Sequence, residues 1–269
     1  MTDNVDKTER DIDQINQIVD SLTLFDDDLM TLVFDQNIPA TELILRIILG
    51  RNIRVVKVEA QVEMRSSLVG GRDITIDIHA IDETNEEIDI EVQGNTEGSH
   101  VRRARFHGAM LDSRMLNAGD PFKILRDSYV IFIYKHDKFG RGLPIYRADR
   151  VVLETGESLN DGSHIIYVNG NYKGNDDIGR LMHDFNSLSS DDMNYKELAD
   201  GIHQFKETEK GRGVVCEKVQ KYAEEYSINK DVEKIRNLMQ NMKWTLEQAL
   251  NALGITGDER EIITRQMQV

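Results

Sequence analysis

Three β-rich runs before residue 100 constrain the fold more than any other feature of this chain. RVVKVEAQVEM (54–64), DITIDIHAI (73–81) and EEIDIEVQ (86–93) are rich in β-branched residues and alternate with period two. Gly70-Gly71 separates the first two, and the polar turn Asp82-Glu83-Thr84-Asn85 separates the last two. Three neighbouring antiparallel strands follow. Before them, Pro39 and Thr41 suit the start of a helix with an apolar stripe of Leu43, Ile44, Ile47 and Ile48, ended by Gly50. After them, residues 100–117 have helical spacing and many Arg and Ala, and Gly119-Asp120-Pro121 stops the run. SYVIFIY (128–134) is continuously apolar and reads as a buried central strand.

IYRADRVVLET and SHIIYVNG are expected as further strands, with turns between Gly156 and Gly162. From Asp176 onward, apolar residues recur at three- and four-residue spacing, so helices are expected, with Gly211 and Gly213 as a hinge. The first twenty residues, with Ile12, Ile15 and Val19, read as a short amphipathic helix or a loose arm. The expected organisation is an α/β core over 1–190 and a helical C-terminal extension over 191–269.

Composition excludes several classes. No run approaches the roughly 18 apolar residues of a membrane helix, so no membrane partner is expected. The polar start MTDNVDKTERDIDQ has no apolar signal region, and a cytoplasmic location is expected. Cys216 is the only cysteine, and the seven histidines show no HExxH or clustered ligand spacing, which argues against a zinc enzyme. The net charge is −15, yet residues 101–150 hold eleven basic and five acidic side chains, leaving −21 for the rest. A local basic surface on an acidic protein is compatible with a phosphate-bearing partner.

The hairpin ITIDIHAIDETNEEIDIEVQ carries the chemistry. Period two puts Ile74, Ile76 and Ile78 on one face and Thr75, Asp77 and His79 on the other. In the second strand Asp89, Glu91 and Gln93 oppose Ile88, Ile90 and Val92. A turn centred on Thr84 places Asp77 across from Glu91, Thr75 from Gln93 and His79 from Asp89, with Cβ atoms about 4.5–5.5 Å apart. Two carboxylates so close repel unless a proton or cation lies between them, and Mg²⁺ suits such oxygen ligands. The plainer reading is the solvated side of an amphipathic sheet. Against it stands the basic helix that follows within a few residues, with Arg102, Arg103 and Arg105, because phosphodiester hydrolysis needs metal-binding carboxylates beside guanidinium groups.

Asp77, the turn, Glu91-Val92-Gln93, the Arg-rich start at residues 102–107 and YVIFIY together resemble the PD-(D/E)XK nuclease superfamily. The match is closest to its recombination-promoting nuclease (Rpn) or transposase family, common in bacteria. LFDDDLMTLVFDQN and MKWTLEQALNALGI add to the resemblance, which runs from about Leu24 to the C-terminal helices. It implies a restriction-endonuclease-like core with a central mixed β-sheet flanked by helices. It also implies Asp77 and Glu91 as Mg²⁺ ligands, with Mn²⁺ able to substitute. Gln93 then stands where most of the superfamily has Lys, and Glu42 corresponds to an extra acidic residue of many members. A Gln there can only hydrogen-bond water or phosphate, whereas Lys adds positive charge.

The expected activity is therefore metal-dependent DNA endonuclease, with Asp77, Glu91 and Gln93 catalytic and Arg103 and Arg105 as phosphate contacts. A homodimer is an attractive arrangement, because double-strand cleavage is easiest with two sites. The rival reading is an inactive nuclease-like scaffold binding DNA or a protein partner. Smaller expectations are a packed or solvent-facing His79, Phe106 and His107 packed beneath the site, Trp244 in a helical core, and no role for Cys216.

Overall fold

The computed structural model describes residues 13–66, 69–94 and 100–267. They form an α/β fold whose centre is a six-stranded mixed sheet. Strands β1 (Val55–Met64), β2 (Ile74–Asp82) and β3 (Glu87–Gln93) are antiparallel neighbours. β4 (Ser128–Tyr134) and β6 (Ser163–Asn169) run parallel to β3, and β5 (Ile145–Ala148) closes the far edge antiparallel to β6. The order is β1-β2-β3-β4-β6-β5.

The helices precede and interrupt this sheet. α1 (Asp27–Phe34) and α2 (Ile38–Leu49) pack on β1, and α3 (Val101–Met115) links β3 to β4 and packs on β4 and β6. α2 starts where Asn37 Oδ1 accepts the Ala40 N–H and stops at Gly50, whose φ of 69° a residue with a Cβ adopts only at a cost. The parallel pair β3–β4 needs a crossover, which the basic helix α3 supplies. α4 (Asp177–Asn186) and α5 (Lys196–Ile202) complete the layer. α6 (Glu209–Met242), α7 (Leu246–Ala252) and α8 (Gly257–Met267) follow.

Two compact units divide the chain, one spanning Gln17–Val215 and the other built mainly on residues from Cys216 onward. Residues 191–215, expected in the extension, thus belong to the core unit. Leu198 and Ile202 are wholly buried, and the Lys206 ammonium donates to the carbonyls of Asp20, Leu22 and Leu188. The break in helical structure expected at Gly211 and Gly213 is absent, because α6 runs through both. A Cβ on Gly211 would lie 1.8 Å from the Gln204 carbonyl, so close approach to the preceding turn explains that glycine. In the smaller unit Val232, Ile235, Ala249, Leu250, Ile255 and Ile263 form a core, while Trp244 is only half-buried and lies outside it.

The expected long strand over 145–155 is the four-residue β5, followed by a single bridge from Val151 to Ser158. β3, in contrast, is buried on both faces: Ile88, Asp89, Ile90, Glu91 and Val92 are all inaccessible to solvent or nearly so. A central strand between β2 and β4 has both faces covered, so the solvated acidic face expected of an amphipathic hairpin does not occur here.

Candidate functional site

The site lies where β2 and β3 part. Their ladder pairs Ile81 with Glu87, Ala80 with Ile88, His79 with Asp89 and Ile78 with Ile90, the register expected from a turn centred on Thr84. Asp82 holds that turn by accepting from Thr84 N, Thr84 Oγ1 and Glu86 N. Asp77 and Glu91 come next in the same register, and there side chains take over from backbone pairing. The Asp77 N–H donates to Glu91 Oε1 at 3.2 Å, and the Val92 N–H donates to Asp77 Oδ2 at 2.9 Å.

A change of face accompanies this parting. Ile74 and Ile76 pack with Ala104, Leu111, Phe132 and Tyr134, on the α3 side of the sheet. Glu91 pairs with Phe132 and so faces α3, which means that Ile78, paired with Ile90, faces away. Ile74, Ile76 and Ile78 therefore do not share one face, as simple alternation implied. The cause lies across the β1–β2 ladder, which skips Gln61 and Asp77, and Gln61 has a left-handed φ of 53°.

α3 supplies the cations. Arg103 and His107 are four residues apart and share one helix face. The Arg103 guanidinium donates through Nη2 to Glu91 Oε2, through Nη1 to Gln93 Oε1 at 3.4 Å and through Nε to His107 Nε2 at 3.3 Å. It also lies 5.7 Å from the centre of the Phe132 ring. His107 Nδ1 is 2.7 Å from Asp89 Oδ2. Arg105 is exposed on the same helix and does not join this group.

Three carboxyls are strained electrostatically. Loss of water pushes Asp89 up to about 8, helped by the Asp77 charge. Burial likewise raises Glu91, with Asp89 and Asp77 adding to the rise, and raises Asp77, where Asp27 adds to it. Asp27, at the start of α1, is itself raised, first by desolvation and then by Asp28 and Asp26, and Arg103 opposes the rise. α1 comes this close because Gly94, just past β3, lets the Phe25 carbonyl within 2.9 Å of where a Cβ would sit.

These donors fit a divalent cation. Buried carboxylates that repel one another need a positive partner, and Asp89 Oδ1 is wholly buried with no hydrogen-bond partner among the described residues. Asp89, Glu91 and His107 offer atoms within 4.8 Å of one another. The imidazole is poorly disposed to be the third ligand. Arg103 can only donate, so His107 Nε2 must accept, and the ring proton then sits on Nδ1 and points at Asp89. Loss of water lowers the His107 pKa, in keeping with a neutral ring. The oxygen donors of Asp77 and Glu91, joined through the Asp77 N–H, are of the kind that Mg²⁺ or Mn²⁺ takes, while Asp89 is engaged with His107.

The remaining expected residues lie as follows. Gln93 is half-buried, and its carbonyl oxygen faces Arg103. Glu42 is away from the cluster: its Oε1 accepts the Val55 N–H, and Val55 pairs with Asp82, five residues along β2 from Asp77, about 17 Å at strand spacing. His79 is packed and paired with Glu87. His107 is buried beneath the site, whereas Phe106 is exposed. Asp27, Asp89 and His107 were not singled out for the site from sequence. The one available signal was spacing, since Asp89 is two residues from Glu91 and His107 four from Arg103.

Compared with family models, curated proteins and solved structures, the chain matches none. Among the described residues, no helix is long and apolar enough to cross a membrane.

Proposed function

We propose that this chain is a metal-dependent nuclease with a restriction-endonuclease-like core, of the Rpn type that its motifs resemble, acting on DNA. One observation carries the reading: Asp77 and Glu91 interlock at the divergence of β2 and β3, buried, with the Arg103 guanidinium on Glu91. The order of a helix, three antiparallel strands, a crossover helix and a parallel fourth strand supports it. Asp77 and Glu91 would hold the cation, which in such sites activates water and balances charge on the phosphate. Arg103 binds a phosphate oxygen, and Gln93 orients the water or phosphate by hydrogen bonding. Exposed Arg102 and Arg105, on the first turns of α3, are placed to contact the flanking backbone.

Supercoiled plasmid incubated with the protein and Mg²⁺, Mn²⁺ or EDTA tests this. Nicking or linearisation should require metal and disappear in Asp77→Ala and Glu91→Ala. Cleavage that survives either substitution sinks the assignment.

The pairing of Arg103 with Glu91 favours one alternative, in which the guanidinium is the site's permanent cation and the protein grips nucleic acid without cutting it. Calorimetric titration with Mn²⁺ separates the two: heat that vanishes in Glu91→Ala supports the enzyme, and no heat supports the silent scaffold.

A further inference from the structure

We infer that Asp89 and His107 are positioning residues that aim Arg103 at a phosphodiester oxyanion. The identity of that anion rests on the nuclease reading above, but the aiming device does not. It is a chain of three contacts running from the buried strand to the open side of the site.

The inner end is fixed. Asp89 is fully buried and accepts from His107 Nδ1 at 2.7 Å, and His107 is itself 2% exposed. A neutral imidazole has one donor and one acceptor, so a proton held on Nδ1 leaves Nε2 as a lone pair. That lone pair receives the Arg103 Nε–H at 3.3 Å. An imidazole with its proton on Nε2, or with protons on both nitrogens, would meet the guanidinium donor with another donor and push it away.

The outer end is left available. Arginine has five N–H groups, and among the described residues Arg103 uses one on Nε for His107, one on Nη2 for Glu91 and one on Nη1 for Gln93. One N–H on each terminal nitrogen stays unspent, and the side chain is 33% exposed. Two N–H groups on a planar fork match two oxygens of one phosphate. Held at three points, the guanidinium loses little further freedom on binding, which is how a buried pair remote from the anion influences it.

The structure thus requires the Nδ1–H tautomer of His107, the minority form of free neutral histidine. Nitrogen NMR of the ¹⁵N-labelled full chain reads it directly, with and without Asp89→Asn. In the parent protein Nδ1 should carry the proton and Nε2 should resonate as an unprotonated, hydrogen-bonded nitrogen. In Asp89→Asn the amide can accept from Nδ1–H or donate to a bare Nδ1, so the preference for Nδ1–H should weaken and an Nε2–H fraction should appear.

On plasmid with Mn²⁺, Asp89→Asn and Arg103→Ala should each lower cleavage about 100-fold, the scale set by misplacing a reacting group. The double variant should be no worse than Arg103→Ala, and His107→Gln, which still donates to Asp89 and accepts from Arg103, should keep more activity than His107→Ala. An Nε2–H ring in the parent protein overturns the inference, as do losses from Asp89→Asn and Arg103→Ala that multiply. A protein inert on every nucleic acid but showing the Nδ1–H ring overturns the nuclease reading and leaves the aiming device standing.

Discussion

The Glu91 carboxylate accepts the N–H of Asp77 while the Asp77 carboxylate accepts the N–H of Val92, so each acid occupies the place of a ladder bond on the opposite strand. The two acids thus separate the strands and sit between them. Burial raises the pKa of both, so ionising them opposes folding. Asp77→Ala should consequently keep its thermal midpoint within a few degrees in EDTA while cleavage falls by about 100-fold or more, the scale of losing a preorganised charged group. Circular dichroism melts run beside the plasmid assay check both halves.

Metal-free stability should decline with pH. Asp89 binds its proton more tightly in the folded state, up to about 8, than in the unfolded chain, where carboxyls titrate near about 4. The folded state therefore holds more protons between those values, so stability present at the acid end is lost as pH rises through the window. One such proton costs at most about 1.4 kcal/mol per pH unit. Urea midpoints in EDTA from pH 4 to 8 should show the slope, and Asp89→Asn should flatten it.

Lys206→Met should weaken the core unit. The ammonium is 4% exposed and ties the carbonyls of Asp20, Leu22 and Leu188, joining segments nearly two hundred residues apart. Methionine fills the space but donates nothing, and the buried Leu22 carbonyl, left unsatisfied, costs about 1–3 kcal/mol, while those of Asp20 and Leu188, on exposed residues, cost less. Part of that is returned, because a desolvated charge is removed. A net loss of about 1–3 kcal/mol in urea titration is expected.

The neighbouring glycines of α6 should respond with opposite sign. Gly213→Ala meets nothing within 4 Å and should stabilise the helix by up to about 1 kcal/mol, as expected from helix propensity. Gly211→Ala drives a methyl into the Gln204 carbonyl and should destabilise it. Thermal melts of the two variants give the comparison.

Much of this site was legible in the chain because it depends on local patterns. Period two and a four-residue turn predicted the β2–β3 register correctly, and the apolar run at 128–134 predicted a central strand. The sequence could not convey what depends on neighbours. Asp89 looks like any surface acid until β4 and α3 cover it, and His107 looks like filler until Arg103 is seen to need an acceptor. Asp27 comes from a segment fifty residues upstream, brought in by the close approach at Gly94, a contact without a periodic signature. Alternation likewise assigned Ile76 and Ile78 to one face, because the left-handed residue that breaks it lies on another strand.

Asp77, Glu91, Arg103 and His107 fall within thirty-one consecutive residues, a stretch that β2, β3 and α3 span without help from the rest of the chain. Closing a loop of that length costs little entropy compared with bringing distant segments together. During synthesis these groups have therefore all emerged before β6, Lys206 or the helices that follow exist. The members of the constellation are neighbours along the chain from the start, so insertions beyond residue 134 can lengthen the protein without separating them.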